Sequence, residues 1–165
     1  MQLWVLSADG WGRKRKASKM RRNPKIVLFQ CQYCLASSAD QDWVEHDLPE
    51  HVKFVKVPCS GRISPLFIMN AFQKGADGVM VSGCMPEKCH FITSNLGARR
   101  QLDEFRDFLL YLGLEPERFK FLWMNLIERG LIQKEIVEFT AELKAMKPNM
   151  KFNTFKGEII RQHHG

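Results

Sequence analysis

The sequence lacks any long apolar run, although 45% of its 165 residues are hydrophobic. No stretch approaches the roughly 20 consecutive apolar residues that a membrane-spanning helix needs. The first residues also lack the order of a secretory signal, because their basic residues follow the short apolar segment instead of preceding it. We therefore expect a soluble, cytoplasmic protein whose length suits one compact domain.

The sequence also lacks the motifs of the common enzyme sites. It shows no nucleophile–base pair, no paired acid and base, and no phosphate-binding glycine loop. The two glycines of GADG at 75–78 fall in a helix-to-strand turn and do not form a dinucleotide-binding fingerprint. Internal repeats and low-complexity tracts are missing as well. We therefore expect no substrate chemistry from this chain by itself.

Positive charge is concentrated in one segment of the chain. Residues 1–25 hold eight basic residues and one acid, which accounts for the whole formal net charge of +7. A basic arm is typical of segments that bind nucleic acid or an acidic protein surface, and also of solvated termini. We expect a basic arm over 1–23, a domain over 24–147 and a polar tail over 148–165. Of the two binding roles we favour docking to another protein of a complex, with no nucleic-acid partner.

Predicted strands alternate with predicted helices along the domain. Buried or alternating apolar runs predict strands at 26–29, 52–57, 79–81 and 119–124, and helical spacing predicts helices at 41–45, 65–74, 92–112 and 132–146. This alternation predicts βαβ units with right-handed crossovers and a mainly parallel sheet. We expect a small flavodoxin-like or Rossmann-like three-layer α/β sandwich with four or five strands.

Cysteine is the most informative residue type in this chain. Each of the five falls at or just after the carboxyl end of a predicted strand: Cys31, Cys34, Cys59, Cys84 and Cys89. Ligands of open parallel sheets gather outside the carboxyl ends of the strands, so we expect all five thiols at one end of the sheet. An odd number of cysteines, in a reducing cytosol, favours metal or redox chemistry over a disulfide framework.

Several kinds of site remain compatible with these cysteines. An iron–sulfur site explains the convergence best. A structural zinc ion usually takes four ligands in two tight pairs, whereas the spacing from Cys84 to Cys89 is wider and Cys59 stands alone. A thioredoxin-like dithiol at Cys31 and Cys34 leaves the other three unexplained, and buried, inert cysteines are the plainest alternative. We rank the iron–sulfur site first and a zinc-stabilised interaction module second.

Three further residues are candidates for supporting such a site. Gly83 lets main-chain N–H groups approach a sulfur closely, and Arg62 could offset negative charge. His90 follows Cys89 and could donate a hydrogen bond to the site or act as a ligand. For His90 an ordinary hydrogen-bonded side chain is the commoner outcome.

Five segments of the chain resemble one known family. They are CQYC at 31–34, VPCSGR at 57–62, FIMNAFQKGADGVMVSGC at 67–84, PEKCH at 86–90 and GLEPERFKFLWM at 113–124. Over about residues 24–146 the chain resembles the delta subunit of methyl-viologen-reducing hydrogenase, a small iron–sulfur family associated with heterodisulfide reductase.

The resemblance implies a cofactor and a role. It implies one [2Fe–2S] cluster at the five cysteines, four of which serve as ligands, with Cys31 or Cys59 as the spare one. It implies a non-catalytic subunit that relays electrons to a heterodisulfide-reductase-A-like flavoprotein in a complex that supports electron bifurcation. The other partner would be a subunit of a hydrogenase, formate dehydrogenase or methylenetetrahydrofolate reductase.

The chain departs from the family pattern in places that bear on the partner. Members often carry a further cysteine where this chain has Gln30. A small-residue, acidic stretch after the fourth strand is replaced here by NLIERG at 125–130, and the arm and tail have no counterpart in the family. These are plausible contact surfaces, so the sequence leaves the particular partner open.

Overall fold

Four parallel strands and three helices make up the part of the chain that the computed structural model describes, residues 23–34, 47–124 and 129–149. The strands are β1 (Ile26–Cys31), β2 (Val52–Val57), β3 (Gly78–Cys84) and β4 (Phe119–Met124). The helices are α1 (Pro65–Gln73), α2 (Ser94–Tyr111) and α3 (Arg129–Ala145). The predicted helix at 41–45 lies outside the described residues, as do nearly all of the predicted arm and most of the tail.

The strand order is β2-β1-β3-β4, and every neighbouring pair is parallel. This confirms the predicted three-layer α/β class, and the order is the flavodoxin-like one. The chain leaves β1 toward β2 and then crosses back to β3 on the other side of β1. The direction of winding therefore reverses between β1 and β3, and such a switch point is where open α/β sheets place their ligands.

Burial along the strands explains why the sequence forms this sheet. Every residue of β1 and β3 is buried, as expected for central parallel strands that are covered on both faces. The outer strands β2 and β4 are buried less completely and carry lysines, including Lys53, Lys56 and Lys120. Charged side chains on outer strands discourage pairing with other chains.

Helices cover the two faces of the sheet separately. Helices α1 and α2 pack on one face, where Ile68, Phe72 and Leu102 meet Val27 and Phe29 of β1. Helix α3 covers the other face with buried side chains that match its predicted apolar stripe: Ile132, Ile136, Phe139 and Leu143. Ser64 occupies the predicted N-cap position of α1 in extended conformation, although its side chain makes no capping hydrogen bond.

A buried arginine closes the amino end of the sheet. Arg118 is 1% exposed, and its guanidinium donates to a carboxylate oxygen of Glu115 and to the carbonyls of Asp77 and Lys147. The Asp77 carboxylate in turn accepts from the main-chain N–H of Lys25 at 2.9 Å. This end is satisfied by the chain's own groups, in contrast to the opposite end.

Candidate metal centre

Three buried thiols meet at the carboxyl end of the sheet, at the switch point. Cys31 is the last residue of β1, Cys84 is the last residue of β3, and Cys34 ends a single 3-10 turn that follows β1. The Cys34 and Cys84 sulfurs are 3.1 Å apart, and those of Cys31 and Cys84 are 3.9 Å apart. All three sulfurs lie within 4.8 Å of one another, an arrangement that could hold a metal ion.

Hydrogen bonds from the surrounding loops converge on one of these sulfurs. The main-chain N–H groups of Tyr33 and Ser60 donate to the Cys31 sulfur, and the Cys31 thiol itself lies 3.9 Å from the Pro58 carbonyl. Tyr33 belongs to the turn after β1 and Ser60 to the turn after β2. Two neighbouring strand ends therefore position the same side chain.

Proton sharing within the group separates the three thiols. The hydrogen bond from the Cys34 thiol, together with the N–H groups of Tyr33 and Ser60, lowers the pKa of Cys31 to about 6 despite its burial. That same hydrogen bond raises the pKa of Cys34, and burial adds to the effect. Burial also raises the pKa of Cys84. One thiolate forms easily, and the other two ionise only with a cation to offset their charge, as metal binding provides.

Cys59 and Cys89 lie at the same end of the sheet but outside the group of three. Cys59 caps the turn Ser60–Arg62, where its sulfur accepts from the Gly61 N–H at 3.4 Å and from the Ser94 hydroxyl. Its pKa is raised mainly by burial and further by the charges of Cys31 and Cys89. Cys89 is half-buried and packs against the apolar cluster that contains the three thiols.

The loop that carries Cys89 runs from β3 to α2 and is strained. Glu87 and Ile92 both have positive φ, 66° and 62° respectively. For a β-branched residue such as Ile92 this conformation is unfavourable, and strain of this kind clusters at functional sites. The loop is anchored by the fully buried Asn95, whose amide donates to the carbonyls of Cys84 at 2.8 Å and Met85 at 2.9 Å. Sequence reasoning missed Asn95, because a single polar residue near a helix start carries no distinctive pattern.

The three predicted supporting residues take different positions. A Cβ atom at Gly83 would lie 2.8 Å from Cζ of Phe121 and 3.1 Å from Oγ of Ser60, so glycine permits a close approach there. The Arg62 side chain is exposed, and its main-chain N–H donates to the Cys59 carbonyl at 3.0 Å. The His90 ring is exposed and stacks on Tyr33 with ring centroids 3.9 Å apart.

Exposed apolar side chains surround the cysteines. The Phe91 ring contacts both Tyr33 and His90 edge-on, so the turn after β1 and the loop after β3 meet through aromatic contacts. Further large apolar residues are exposed in this loop and in the first turns of α1 and α2. Together we call them the apolar rim: Tyr33, Leu66, Phe67, Met85, Phe91, Ile92 and Leu96.

Buried polar atoms without hydrogen-bond partners also gather near the cysteines. Within the described ranges, the Ser60 and Ser82 hydroxyls and the side-chain carbonyl oxygen of Gln30 are buried and make no hydrogen bond. Each belongs to a residue within two positions of a cysteine, although almost all buried polar groups in proteins are paired. Soft thiolate ligands with polar donors beside them are what iron–sulfur clusters and zinc ions bind. The residues present therefore fit a metal–sulfur group.

No helix in the described segments combines the length and apolarity that crossing a bilayer requires.

A family model and several curated proteins match this chain. The model for the delta subunit of methyl-viologen-reducing hydrogenase matches residues 26–147. An iron–sulfur subunit of the F420-non-reducing hydrogenase of Methanococcus voltae is 38% identical over 135 residues, which cover 81% of this chain and 94% of that protein. The corresponding subunit from Archaeoglobus profundus is 37% identical over 126 residues, covering 76% of this chain and 92% of that protein.

A much larger protein also contains a matching segment. It is the A component of the ferredoxin:CoB-CoM heterodisulfide reductase of Methanosarcina mazei, which is 33% identical over 126 residues. The match covers 76% of this chain but only 16% of that protein. The chain thus corresponds to a small part of one group of relatives and to nearly the whole of another.

Proposed function

Because the chain belongs to the methyl-viologen-reducing hydrogenase delta subunit family, we propose that it is an iron–sulfur electron-transfer subunit of an oxidoreductase complex. The observation that carries this proposal is the group of three buried thiols, from the ends of two central strands, whose sulfurs lie within 4.8 Å of one another. Relatives that match over nearly their full length are named as iron–sulfur subunits of hydrogenases, which supports the same role. The electron-transfer domain would span 24–147.

We propose that the cysteines hold one [2Fe–2S] cluster with four ligands. Cys31, Cys34 and Cys84 supply three of them. Cys89 is the fourth, since it packs against the apolar cluster that contains these three, and Cys59 does not belong to that cluster. Of the two cysteines that the family resemblance suggests as spare, these contacts favour Cys59. When bound, such a cluster takes up and releases a single electron.

The chain's own residues prepare this site and restrict its chemistry. The three grouped thiols are at most 5% exposed, so the fold keeps water away from them. Asn95 fixes the end of β3 and the start of the loop that carries Cys89. In the described part of this end of the sheet we find no nucleophile–base pair. The arrangement therefore suits electron transfer and not the turnover of a substrate.

The apolar rim supports docking of a redox partner beside the cysteines. Exposed aromatic and methionine side chains are enriched at protein–protein interfaces, and interfaces between redox partners are often small. We propose that a heterodisulfide-reductase-A-like flavoprotein or a protein of a hydrogenase docks here, and that the chain relays electrons between the two. Formate dehydrogenase or methylenetetrahydrofolate reductase subunits are further proposed donors, and the whole complex would be cytoplasmic and electron-bifurcating. The basic arm at 1–23 would contribute a second contact.

Anaerobic purification of the full chain tests the iron–sulfur proposal. We expect a coloured protein with iron and acid-labile sulfide in equal amounts and little zinc. A colourless protein that binds one zinc per chain would contradict the proposal and would instead support a zinc-stabilised interaction module, for which the three thiols are also suitable ligands.

A further inference from the structure

Two buried hydroxyl groups flank the cysteines without a hydrogen-bond partner. Ser60 is 1% exposed and Ser82 is 0% exposed, and neither Oγ is paired with any group in the described segments. Leaving a buried hydroxyl unpaired typically costs about 1–3 kcal/mol. A chain of this size has few such groups, and these two lie beside the same site.

Ser82 lies on the same face of the sheet as one of the grouped thiols. It precedes Cys84 by two residues in β3, and side chains two apart along a strand share a face. Its neighbour in register on β1 is Gln30, the residue before Cys31. The Gln30 amide donates to the Cys31 carbonyl at 3.4 Å, and the Ser82 hydroxyl makes no hydrogen bond to it. The Ser82 hydroxyl is therefore still available to donate a hydrogen bond.

Ser60 approaches the site from the other side of β3. Its main-chain N–H already donates to the Cys31 sulfur. Its Oγ is 3.1 Å from the position that a Cβ atom would take at Gly83, directly before Cys84. The missing side chain at Gly83 thus makes room for this hydroxyl beside the two strand ends that carry Cys31 and Cys84.

We propose that the hydroxyls of Ser60 and Ser82 donate hydrogen bonds to sulfur atoms of the group that the cysteines hold, and thereby raise its reduction potential. The inference rests on the proposed function. One electron from the redox partner makes the group one charge unit more negative, and a hydrogen bond to sulfur stabilises that reduced state more than the oxidised one. The serine protons stay on their oxygens, and no covalent bond is formed or broken.

A purely structural role makes a different prediction for the same residues. If Ser82 rotated to donate to the side-chain carbonyl oxygen of Gln30, the two groups would satisfy each other, and removal of the hydroxyl would leave Gln30 unpaired. Such a loss destabilises the fold whether or not a cluster is present. A hydroxyl that bonds only to the cluster leaves the stability of the cluster-free chain unchanged or higher when it is removed.

The experiment compares Ser60→Ala and Ser82→Ala with Thr140→Val in the full chain. Thr140 is a matched control, because its buried hydroxyl is already paired with the His51 ring at 3.2 Å on α3. The measurements are the reduction potential of the reconstituted protein, by anaerobic potentiometric titration, and the unfolding free energy of the cluster-free protein.

We expect each alanine variant to keep its iron content and to have a lower reduction potential than the wild-type chain. The expected change is on the order of tenfold in the reduction equilibrium constant, about 59 mV for one electron. The cluster-free variants should be no less stable than the wild-type chain. Thr140→Val should leave the potential unchanged and reduce the stability.

Two results would overturn the inference alone: unchanged potentials in both alanine variants at full iron content, or a loss of stability in both cluster-free variants. A wild-type chain that binds no iron would overturn the proposed function and this inference together.

Discussion

At the scale of single residues, the short contact between the Cys34 and Cys84 sulfurs joins the turn after β1 to the end of β3. These two residues are 50 positions apart in sequence, and their sulfurs are 3.1 Å apart. The contact depends on β1 and β3 being neighbours in the sheet. Parallel pairing of these two strands brings their last residues, Cys31 and Cys84, to the same level, and the turn after β1 adds Cys34.

The ligand assignment predicts different outcomes for two matched substitutions. Cys89→Ser should remove or alter the visible spectrum, because it replaces the proposed fourth ligand. Cys59→Ser should keep the spectrum, because the Cys59 sulfur is already engaged by the Gly61 N–H and the Ser94 hydroxyl. Absorption and circular dichroism spectra of the two anaerobically purified variants provide the measurement. The reverse outcome would show that Cys59 is a ligand and Cys89 is not.

Gly83→Ala should destabilise the fold, since the added methyl would come within 2.8 Å of the Phe121 ring. We expect a loss of about 1–3 kcal/mol in the free energy of unfolding, the usual cost of overpacking. Gly97→Ala is the matched control in α2, because no atom lies within 4 Å of the added Cβ there. The control should stabilise the helix by up to about 1 kcal/mol. Denaturant unfolding curves measure both, and equal effects of the two substitutions would contradict the close packing at Gly83.

At the scale of elements, a histidine links the start of β2 to α3. The His51 ring lies 3.2 Å from the Thr140 hydroxyl, and its pKa is lowered by burial and by the nearby charge of Lys144. In the unfolded chain this histidine binds a proton more readily than in the fold. The free energy of unfolding therefore rises with pH from the lowered pKa to the ordinary value of about 6.5, and above that value the contribution is complete.

His51→Gln should reduce this pH dependence. The variant keeps a polar side chain of similar length but has no proton to gain, so its stability should fall less between pH 7.5 and pH 5 than that of the wild-type chain. Denaturant unfolding at the two pH values measures the difference, and other titrating groups cancel between the two proteins. An identical pH dependence in both would show that His51 titrates alike in the folded and unfolded states.

The elements differ in how far the sequence predicts them. The buried apolar runs of β1 and β3 and the apolar stripe of α3 predict these elements directly, because their periodicity reflects burial. The strands extend past the predicted runs to Cys31 and Cys84, since the pairing of neighbouring strands continues beyond the hydrophobic residues. The positive φ of Ile92 has no sequence signal, because a β-branched residue is a poor choice for that conformation.

At the scale of the whole molecule, the two ends of the sheet differ. At the amino end Arg118 is buried and hydrogen-bonded to groups of the chain itself, and at the carboxyl end buried hydroxyls are left unpaired beside thiols. The sequence predicted the convergence of cysteines at the carboxyl end, because strand ends can be located from the hydrophobic runs. It did not predict the burial of Arg118 or which thiols lie closest, because both depend on the strand order and on loop geometry.

The central claim is that these cysteines hold a cluster that accepts one electron. Electron paramagnetic resonance of the anaerobically purified, dithionite-reduced chain tests it most directly, with the integrated signal compared with the iron content. A reduced [2Fe–2S] cluster has one unpaired electron, so we expect a signal of about one spin per two irons that is absent before reduction. An iron-loaded chain that gives no signal on reduction, or a chain that holds zinc and no iron, would contradict the claim.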